Sequence, residues 1–525
     1  MGAYFNIGNS GFRRARNSEY VDKSMLIDYV NKALDTEHNM MCVTRSRRFG
    51  KSMAAKMLCA YYDKSCSSCE LFDDLKIAKS DGYKKHLNKY NVIYLDITDF
   101  ITRFRTNDDI VEIMQKMLAD EICNEFGILK SSALDDLMSV LINVADTINE
   151  KFIFIIDEWD AICRECGSDV MNKYVDFLRR MFKGANTDKV FAGVYMTGIL
   201  PIKKYDTQSA LNNFEEYSMV SPGQLSPYFG FNKQEVEMLC NKYQMNYDII
   251  SQWYDGYKIG TEKAIFNPFS VIKAITRQSI ESYWTNTSTY ETLGKYISMD
   301  FDGLKIAVAM LLSGNEIGIR SFTFSNDINE IKTKDDVLTL LIHLGYLTYN
   351  IDSRTVSIPN YEVAQEFENT ITDIGWNDIA NAINNSEKLL RDTLAGNEDA
   401  VAEAIDNVHR ESTSILQYND ENSLACVVTL AYYYAKKEYV CHRELPTGNG
   451  FADLMFVPKR SCDSPVILIE LKYDEPAIAA IEQIKNKHYT DKALEYADNV
   501  LLVGISYSSK TKKHICKIER YTRGC

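Results

Sequence analysis

Proline is scarce in this chain: 9 in 525 residues, beside 25 glycines, and neither gathers into a long run. Long flexible or polyproline linkers are therefore excluded, and the length asks for two to four folded domains. No apolar run approaches the roughly 20 residues that a membrane helix needs, so no membrane partner is expected. The opening Met1-Gly-Ala-Tyr-Phe-Asn has no basic region ahead of an apolar core. A secretory leader is not expected, and the expected location is cytoplasmic. Basic residues are also in the minority, with 59 Lys and Arg against 73 Asp and Glu for a net charge of −14. That argues against a surface coated for nucleic acid, but not against a local basic groove. Lys510, Lys512, Lys513, Lys517, Arg520 and Arg523, against the single acid Glu519, read either as a phosphate-contacting tail or as a solvated one.

The 13 cysteines are odd in number and scattered, which reads as reduced thiols. Cys66-Ser-Ser-Cys69 has the spacing of a metal or redox pair, but without a recognised second pair zinc is not expected. What the chain does have is a composition for folding, at 46% hydrophobic and 25% charged.

Two segments carry chemistry in the first half. The strand-like Met40-Met-Cys-Val-Thr44 leads into Arg45-Ser-Arg-Arg-Phe-Gly-Lys51-Ser52, and then into helix-like Met53–Ala60. Strand, tight turn and helix is the setting of a phosphate-binding loop. Arg47, Arg48, Gly50, Lys51 and Ser52 are the candidate phosphate-binding residues, with the Ser52 hydroxyl on Mg²⁺. The usual first glycine is replaced by Arg45, which raises the loop's cations to four. The second segment, Phe152-Ile-Phe-Ile-Ile-Asp157-Glu158, is an apolar strand ending in two carboxylates. Asp157 is the candidate metal-linked acid and Glu158 the residue that polarises water. Strand- and helix-like segments alternate over about 220 residues, as in an open parallel sheet. Thr197 ends a further strand and is a candidate sensor of the terminal phosphate.

Beyond Pro222-Gly223 and Pro227 the chain turns helical and aromatic-rich. Helices followed by Gly345-Tyr-Leu-Thr-Tyr and Val356-Ser-Ile-Pro359 suggest a winged-helix module, of a kind that either binds DNA or packs against the rest of its own chain, with packing the favoured role. Near the C-terminus, Asp453-Leu-Met-Phe-Val457 and Val466-Ile-Leu-Ile-Glu470-Leu-Lys472 read as two strands. Pro458 and Pro465 are symmetric about the same midpoint as Asp453 and Glu470. A regular hairpin then sets those carboxylates opposite each other, roughly 5 Å apart. Like charges there are unfavourable unless a cation joins them. Lys472, two residues from Glu470, shares its face. Carboxylates with a lysine suit Mg²⁺-assisted phosphodiester cleavage; the competing reading is a salt-bridged hairpin.

These segments resemble the AAA-ATPase-like family, whose phosphate loop reads Arg-x-Arg-Arg-Phe-Gly-Lys-Ser and whose members commonly carry a C-terminal PD-(D/E)xK nuclease domain. Tyr20-Val-Asp-Lys-Ser24, Tyr195-Met-Thr-Gly-Ile199, Asn267-Pro-Phe-Ser270 and Tyr283-Trp-Thr-Asn-Thr-Ser288 extend the resemblance. It implies an α/β chain: a P-loop NTPase parallel sheet of the ASCE type, a helical and winged-helix middle, and a restriction-endonuclease-like α/β domain. The boundaries are 1–225, 226–370 and 371–525. The resemblance implies ATP and Mg²⁺ as cofactors, nucleic acid as partner (DNA ahead of RNA), and leaves homo-oligomers open. It assigns catalysis to Glu158, Asp453, Glu470, Lys472 and Gln483. Asp453, Glu470 and Glu421 become metal-facing acids, with Glu444 a weaker candidate, and in the outer motif Gln483 lies on an expected helix Ala477–His488 that Tyr489 ends. The expected function is ATP binding and hydrolysis coupled to Mg²⁺-dependent nucleic-acid cleavage. The alternative is a nucleotide-dependent regulatory or binding protein with an inactive nuclease-like domain.

Overall fold

The structure is a computed structural model that describes residues 2–522, apart from 105–108, 129–135, 203, 206–207, 210, 285–289, 300, 302, 326–329, 413–420, 448–449 and 460–463. It divides into two compact units, 1–286 with 318–363, and 287–317 with 364–525.

The first unit is built on a parallel sheet. Its strands are β1 (Met40–Thr44), β2 (Asn91–Asp96), β3 (Phe152–Asp157) and β4 (Phe191–Gly198), with the short strand Glu215–Tyr217 at one edge. Their spatial order is β2-β3-β4-β1 and then Glu215–Tyr217, and every neighbouring pair is parallel. The period of two sorts the strands' side chains onto two faces. Cys42, Leu95, Phe154, Ile156 and Met196 enter one core, while Val43, Val92, Ile153, Ile155 and Tyr195 enter the other. Both faces are buried under helices, which is why these strands read as continuous apolar runs. The strand that lies between β1 and the acidic β3 is β4, which comes late in the chain. β2, which falls between them in sequence, is the far edge.

Helices lie at Lys51–Tyr62, in the place expected after the loop, and at Ile110–Phe126, Leu137–Ile148 and Ser168–Phe182. Residues 226–284 add a smaller core built on Phe231, Val236, Tyr254, Phe266, Val271 and Tyr283. Helix Lys334–Leu344, with a Thr333/Asp336 capping box, is followed by the hairpin Thr348–Asn350 and Thr355–Ser357. This is the helix-and-wing pattern expected from the sequence.

The second unit holds a mixed five-stranded sheet: Tyr439–Thr447, Gly450–Pro458, Val466–Tyr473, Asn499–Ser508 and Lys513–Thr522, in chain order. Only Val466–Tyr473 and Asn499–Ser508 pair in parallel, and the helix Ala477–Asn486 makes their crossover. Ile481 and Ile484 of that helix pack on Leu468 and Leu502. Helices Asn377–Ala395, Glu398–Ser412 and Glu421–Ala431 complete the unit. The basic C-terminal segment is not a solvated tail through residue 522. It forms the last strand, with Lys517 2.7 Å from Glu398 and Arg520 donating to the Leu394 carbonyl. Alternation drives this, because His514 and Cys516 turn inward while Lys513, Ile515 and Lys517 turn out.

Among the described residues no helix is long and apolar enough to cross a membrane, and the cysteines are free thiols.

Candidate functional sites

The phosphate loop bridges the end of β1 and the helix Lys51–Tyr62. Gly50 is that helix's N-cap at φ +93°, a conformation that only glycine adopts without strain. Arg48 (φ +68°) and Glu158 (φ +53°) hold left-handed backbones without that freedom, which costs on the order of 1–2 kcal/mol each. Such conformations cluster where a side chain must be aimed.

A cavity of about 710 Å³ opens over the loop, lined by Arg47, Arg48, Lys51, Ser52 and Glu158, with Tyr20 and Phe269 among its aromatic walls. That volume admits a nucleotide. Lys51 is nearly fully buried; its Nζ donates to the Ser46 carbonyl at 3.1 Å and lies 3.5 Å from Glu158 Oε1. Arg48 lays its guanidinium 3.7 Å from the centre of the Phe269 ring. Arg45 departs from the expected set of four loop cations pointing at phosphate. It is fully buried, donates to the Thr44 and Tyr217 carbonyls at 2.8 Å, and rests over Phe229. It pins β1 to the edge strand, and burial lowers its pKa to about 10.

Asp157 ends β3 and is 2% exposed. Burial pushes its carboxyl up to about 6; the Ser52 hydroxyl and Lys51 pull it back, while Glu158 and Asp96 push it further. Tyr94 donates to its Oδ2 at 3.3 Å, and its Oδ1 has no well-aligned hydrogen bond. Thr197 lies beside β1, paired in register with Val43, and its buried Oγ1 also has no partner. A hard carboxylate next to a serine hydroxyl, with acceptors left over, fits a magnesium ion carried by nucleotide phosphates.

The turn after β3 is tied to the end of β4. The Trp159 N–H donates to the Thr197 carbonyl at 2.9 Å, and the fully buried Asp160 accepts from the Ile199 and Leu200 N–H groups at 3.1 and 2.9 Å. A Cβ on Gly198 would fall 2.4 Å from Asp160 Oδ1, so only glycine lets the turn close. Arg164 is the residue that sequence reasoning missed here. Its NH2 donates to Glu158 Oε2 and its Nε to Asp160 Oδ2, both at 2.8 Å. Also overlooked was Cys163-Arg-Glu-Cys166, a second pair with the spacing of Cys66 and Cys69.

The motif residues of the following region join through one carboxylate. Glu362 accepts from Ser270 Oγ at 2.8 Å and from the N–H groups of Tyr283 and Trp284 at 2.6 and 2.7 Å. Residues 285–288 of that motif lie outside the described residues.

In the second unit the ladder runs Phe456↔Ile467, Met455↔Leu468, Leu454↔Ile469, and Asp453 and Glu470 are the next residue on each strand. Asp453 Oδ2 accepts from the Leu471 N–H at 2.7 Å. Glu470 is 2% exposed, and among the described residues its Oε2 has no well-aligned hydrogen bond. Burial and then the Asp453 charge push its carboxyl up to about 7, with Lys472 pulling it down. Gln483, from the crossover helix, donates to Glu470 Oε1 and accepts from Lys472 Nζ at 2.7 Å, while Lys472 Nζ sits 3.6 Å from the same Oε1. Asp453, Glu470, Lys472 and Gln483 are thus brought to one patch. Tyr489 does not end the Gln483 helix. His488 at φ +57° breaks the chain there, and the fully buried Tyr489 opens the next turn. The Glu421 and Glu444 side chains lie outside the described residues. Among the described residues no three His, Cys, Asp or Glu gather as a metal site. Two hard carboxylates, one with an orphaned buried oxygen, nevertheless suit a divalent cation that keeps much of its own water.

Residues 6–208 match the family model described as predicted AAA-ATPase, and residues 419–517 match that of the PD-(D/E)XK nuclease superfamily. A relative, the uncharacterized protein in the vnfD 5′ region of Azotobacter chroococcum mcd 1, is 22% identical over 392 residues, covering 69% of this chain and 70% of its own. Among solved structures, the Walker-type ATPase PABY2304 of Pyrococcus abyssi is similar at 12% identity and a TM-score of 0.35, over 66% of this chain and 94% of its own. The Aeropyrum pernix ORC2 protein is similar at 10% identity and a TM-score of 0.27, over 69% and 98%. TM-scores this low are too weak to argue from, and the architecture rests on the sheet order and the two family matches. The chain therefore joins an AAA-ATPase-like domain to a PD-(D/E)XK nuclease-superfamily domain.

Proposed function

We propose that the chain binds and hydrolyses ATP at the phosphate loop, and that this controls Mg²⁺-dependent cleavage of nucleic acid, DNA ahead of RNA, at the Asp453–Glu470 patch. In the first site Lys51 would exchange its protein partners for phosphate oxygens, Ser52 and Asp157 would hold the cation, and Glu158 would take the proton of the attacking water. Thr197, whose buried hydroxyl has no partner among the described residues, would read the terminal phosphate. In the second site Asp453 and Glu470 would hold Mg²⁺, which supplies an activated water and neutralises charge on the scissile phosphate. Lys472, steered by Gln483, offsets the charge that grows there.

The observation that carries the nuclease reading is Glu470. Its carboxyl is buried beside the Asp453 charge and, among the described residues, leaves Oε2 without a well-aligned hydrogen bond. A salt-bridged hairpin built for stability alone has no use for that arrangement. Calorimetric titration with Mn²⁺ tests it: the wild type should bind, and Glu470→Gln should lose that binding while keeping its fold. Equal binding by both proteins removes the assignment.

A second reading has one observation in its favour. Gln483 and the Leu471 N–H already satisfy part of the acid pair, as in a nuclease-like domain retained as a binding platform.

A further inference from the structure

Glu158 is the residue that must accept a proton, yet both its oxygens face cations. Oε1 lies 3.5 Å from Lys51 Nζ and Oε2 2.8 Å from Arg164 NH2. The two cations differ in what else they hold. Lys51 belongs to the phosphate loop and is drawn to phosphate when a nucleotide enters. Arg164 lines the same cavity but is anchored in the protein: its Nε is fixed by Asp160, whose carboxylate is fixed in turn by the Ile199 and Leu200 N–H groups just past Thr197. The side chains of Arg164 and Asp160 are 10% and 0% exposed, so the link is shielded from solvent. Arg164 presents two edges of one planar fork to two carboxylates, which a lysine cannot do. The left-handed backbone of Glu158 leaves its side chain dependent on such external support.

We propose that Arg164 is the positioning residue of the ATPase site: it holds Glu158 Oε2 against the end of β4, so that nucleotide binding, by drawing Lys51 away, frees Oε1 alone to face water. This rests on the ATPase reading above. In that reaction the water oxygen bonds to the γ-phosphorus. The bridging P–O bond breaks with its electron pair leaving on ADP, and the water proton passes to Glu158. Arg164 touches none of these atoms. It fixes which carboxylate oxygen receives the proton and ties that oxygen to the strand that carries Thr197.

The test separates positioning from binding and from folding. ATP affinity is measured by calorimetry with Mg²⁺ in the Glu158→Gln background, with and without Arg164→Ala. Turnover is measured for wild type, Arg164→Ala, Arg164→Gln and Arg164→Lys. The expected result is affinity within about twofold in every case, kcat lowered about tenfold or more by Arg164→Ala, and partial recovery in Arg164→Lys. Arg164→Gln keeps length and donors, and serves if the alanine variant melts early. Unchanged kcat in the folded variants overturns the proposal. So does a tenfold loss of ATP affinity, which would make Arg164 a phosphate contact. A wild type that binds no ATP overturns the ATPase reading itself, and is told apart because the Arg164 variants then have nothing to differ in.

Discussion

The Lys51 ammonium lies 3.5 Å from Glu158 Oε1, so the cation suited to phosphate and the carboxylate suited to water are paired with each other across the phosphate loop. Nucleotide must compete for Lys51. Replacing it with alanine should weaken ATP binding tenfold or more, about 1.5–3 kcal/mol for a lost charge-assisted contact. Titration calorimetry measures this, and unchanged affinity removes Lys51 from the phosphate site.

Glu158→Gln separates binding from chemistry. The amide keeps the size of the side chain and can still accept from Arg164, so ATP should bind as before. Turnover should fall by about 10²–10⁴-fold, the usual worth of a general base. A variant with wild-type turnover would assign water activation elsewhere.

At the second site the two obvious changes to Asp453 should behave differently. Asp453→Asn keeps an oxygen for the Leu471 N–H, now 2.7 Å from Asp453 Oδ2, and relieves the repulsion on Glu470. Without Mg²⁺ its melting temperature should match or exceed the wild type's. Asp453→Ala orphans that N–H and should lose about 1–3 kcal/mol. Added Mg²⁺ should raise the melting temperature of the wild type alone. A salt-bridge role predicts instead that Asp453→Asn is the less stable protein and that Mg²⁺ changes nothing.

A histidine cluster in the second unit sets a pH dependence. His409 packs against Tyr507 and His514, and Asp406 lies close by. Burial, then the neighbouring His514, lowers its pKa from 6.5 to about 4, with Asp406 opposing. Between those values the unfolded chain takes up a proton that the folded chain refuses, so stability is full above pH 6.5 and is lost as pH falls toward 4. His409→Phe keeps a ring against Tyr507 and removes the proton site. It should flatten part of the decline in melting temperature between pH 7 and pH 5, leaving the share due to His514. An unchanged slope would place the effect elsewhere.

Much of this was legible because it is local. A run ending in Asp157-Glu158 and the sequence Phe49-Gly-Lys-Ser52 set strand ends and a helix start without long-range help. The Asp453–Glu470 register was readable because one hairpin symmetry fixes it. Other features come only from chain crossings. β4 inserts between β1 and β3 although it follows both, and Arg45 turns from phosphate to the Tyr217 carbonyl because the edge strand at Glu215–Tyr217 offers it. Gln483 reaches Glu470 only because the crossover helix lies on that face of the sheet. Glu362 gives no local sign of its role, since its partners lie 78 to 92 residues away. Arg164 carried a signal, as a cation six residues past the candidate acid Glu158, but its second partner Asp160 has meaning only against Ile199 and Leu200.

The central claim is that one chain links an ATP site to a working nuclease site, and cleavage of plasmid DNA tests it most directly. The wild type should cut in Mg²⁺, at a rate that ATP changes. Glu470→Gln should not cut under any condition, and Lys51→Ala should cut at a rate indifferent to ATP. A wild type that leaves DNA intact with Mg²⁺, with and without ATP, would contradict the account and leave the C-terminal domain as a binding platform.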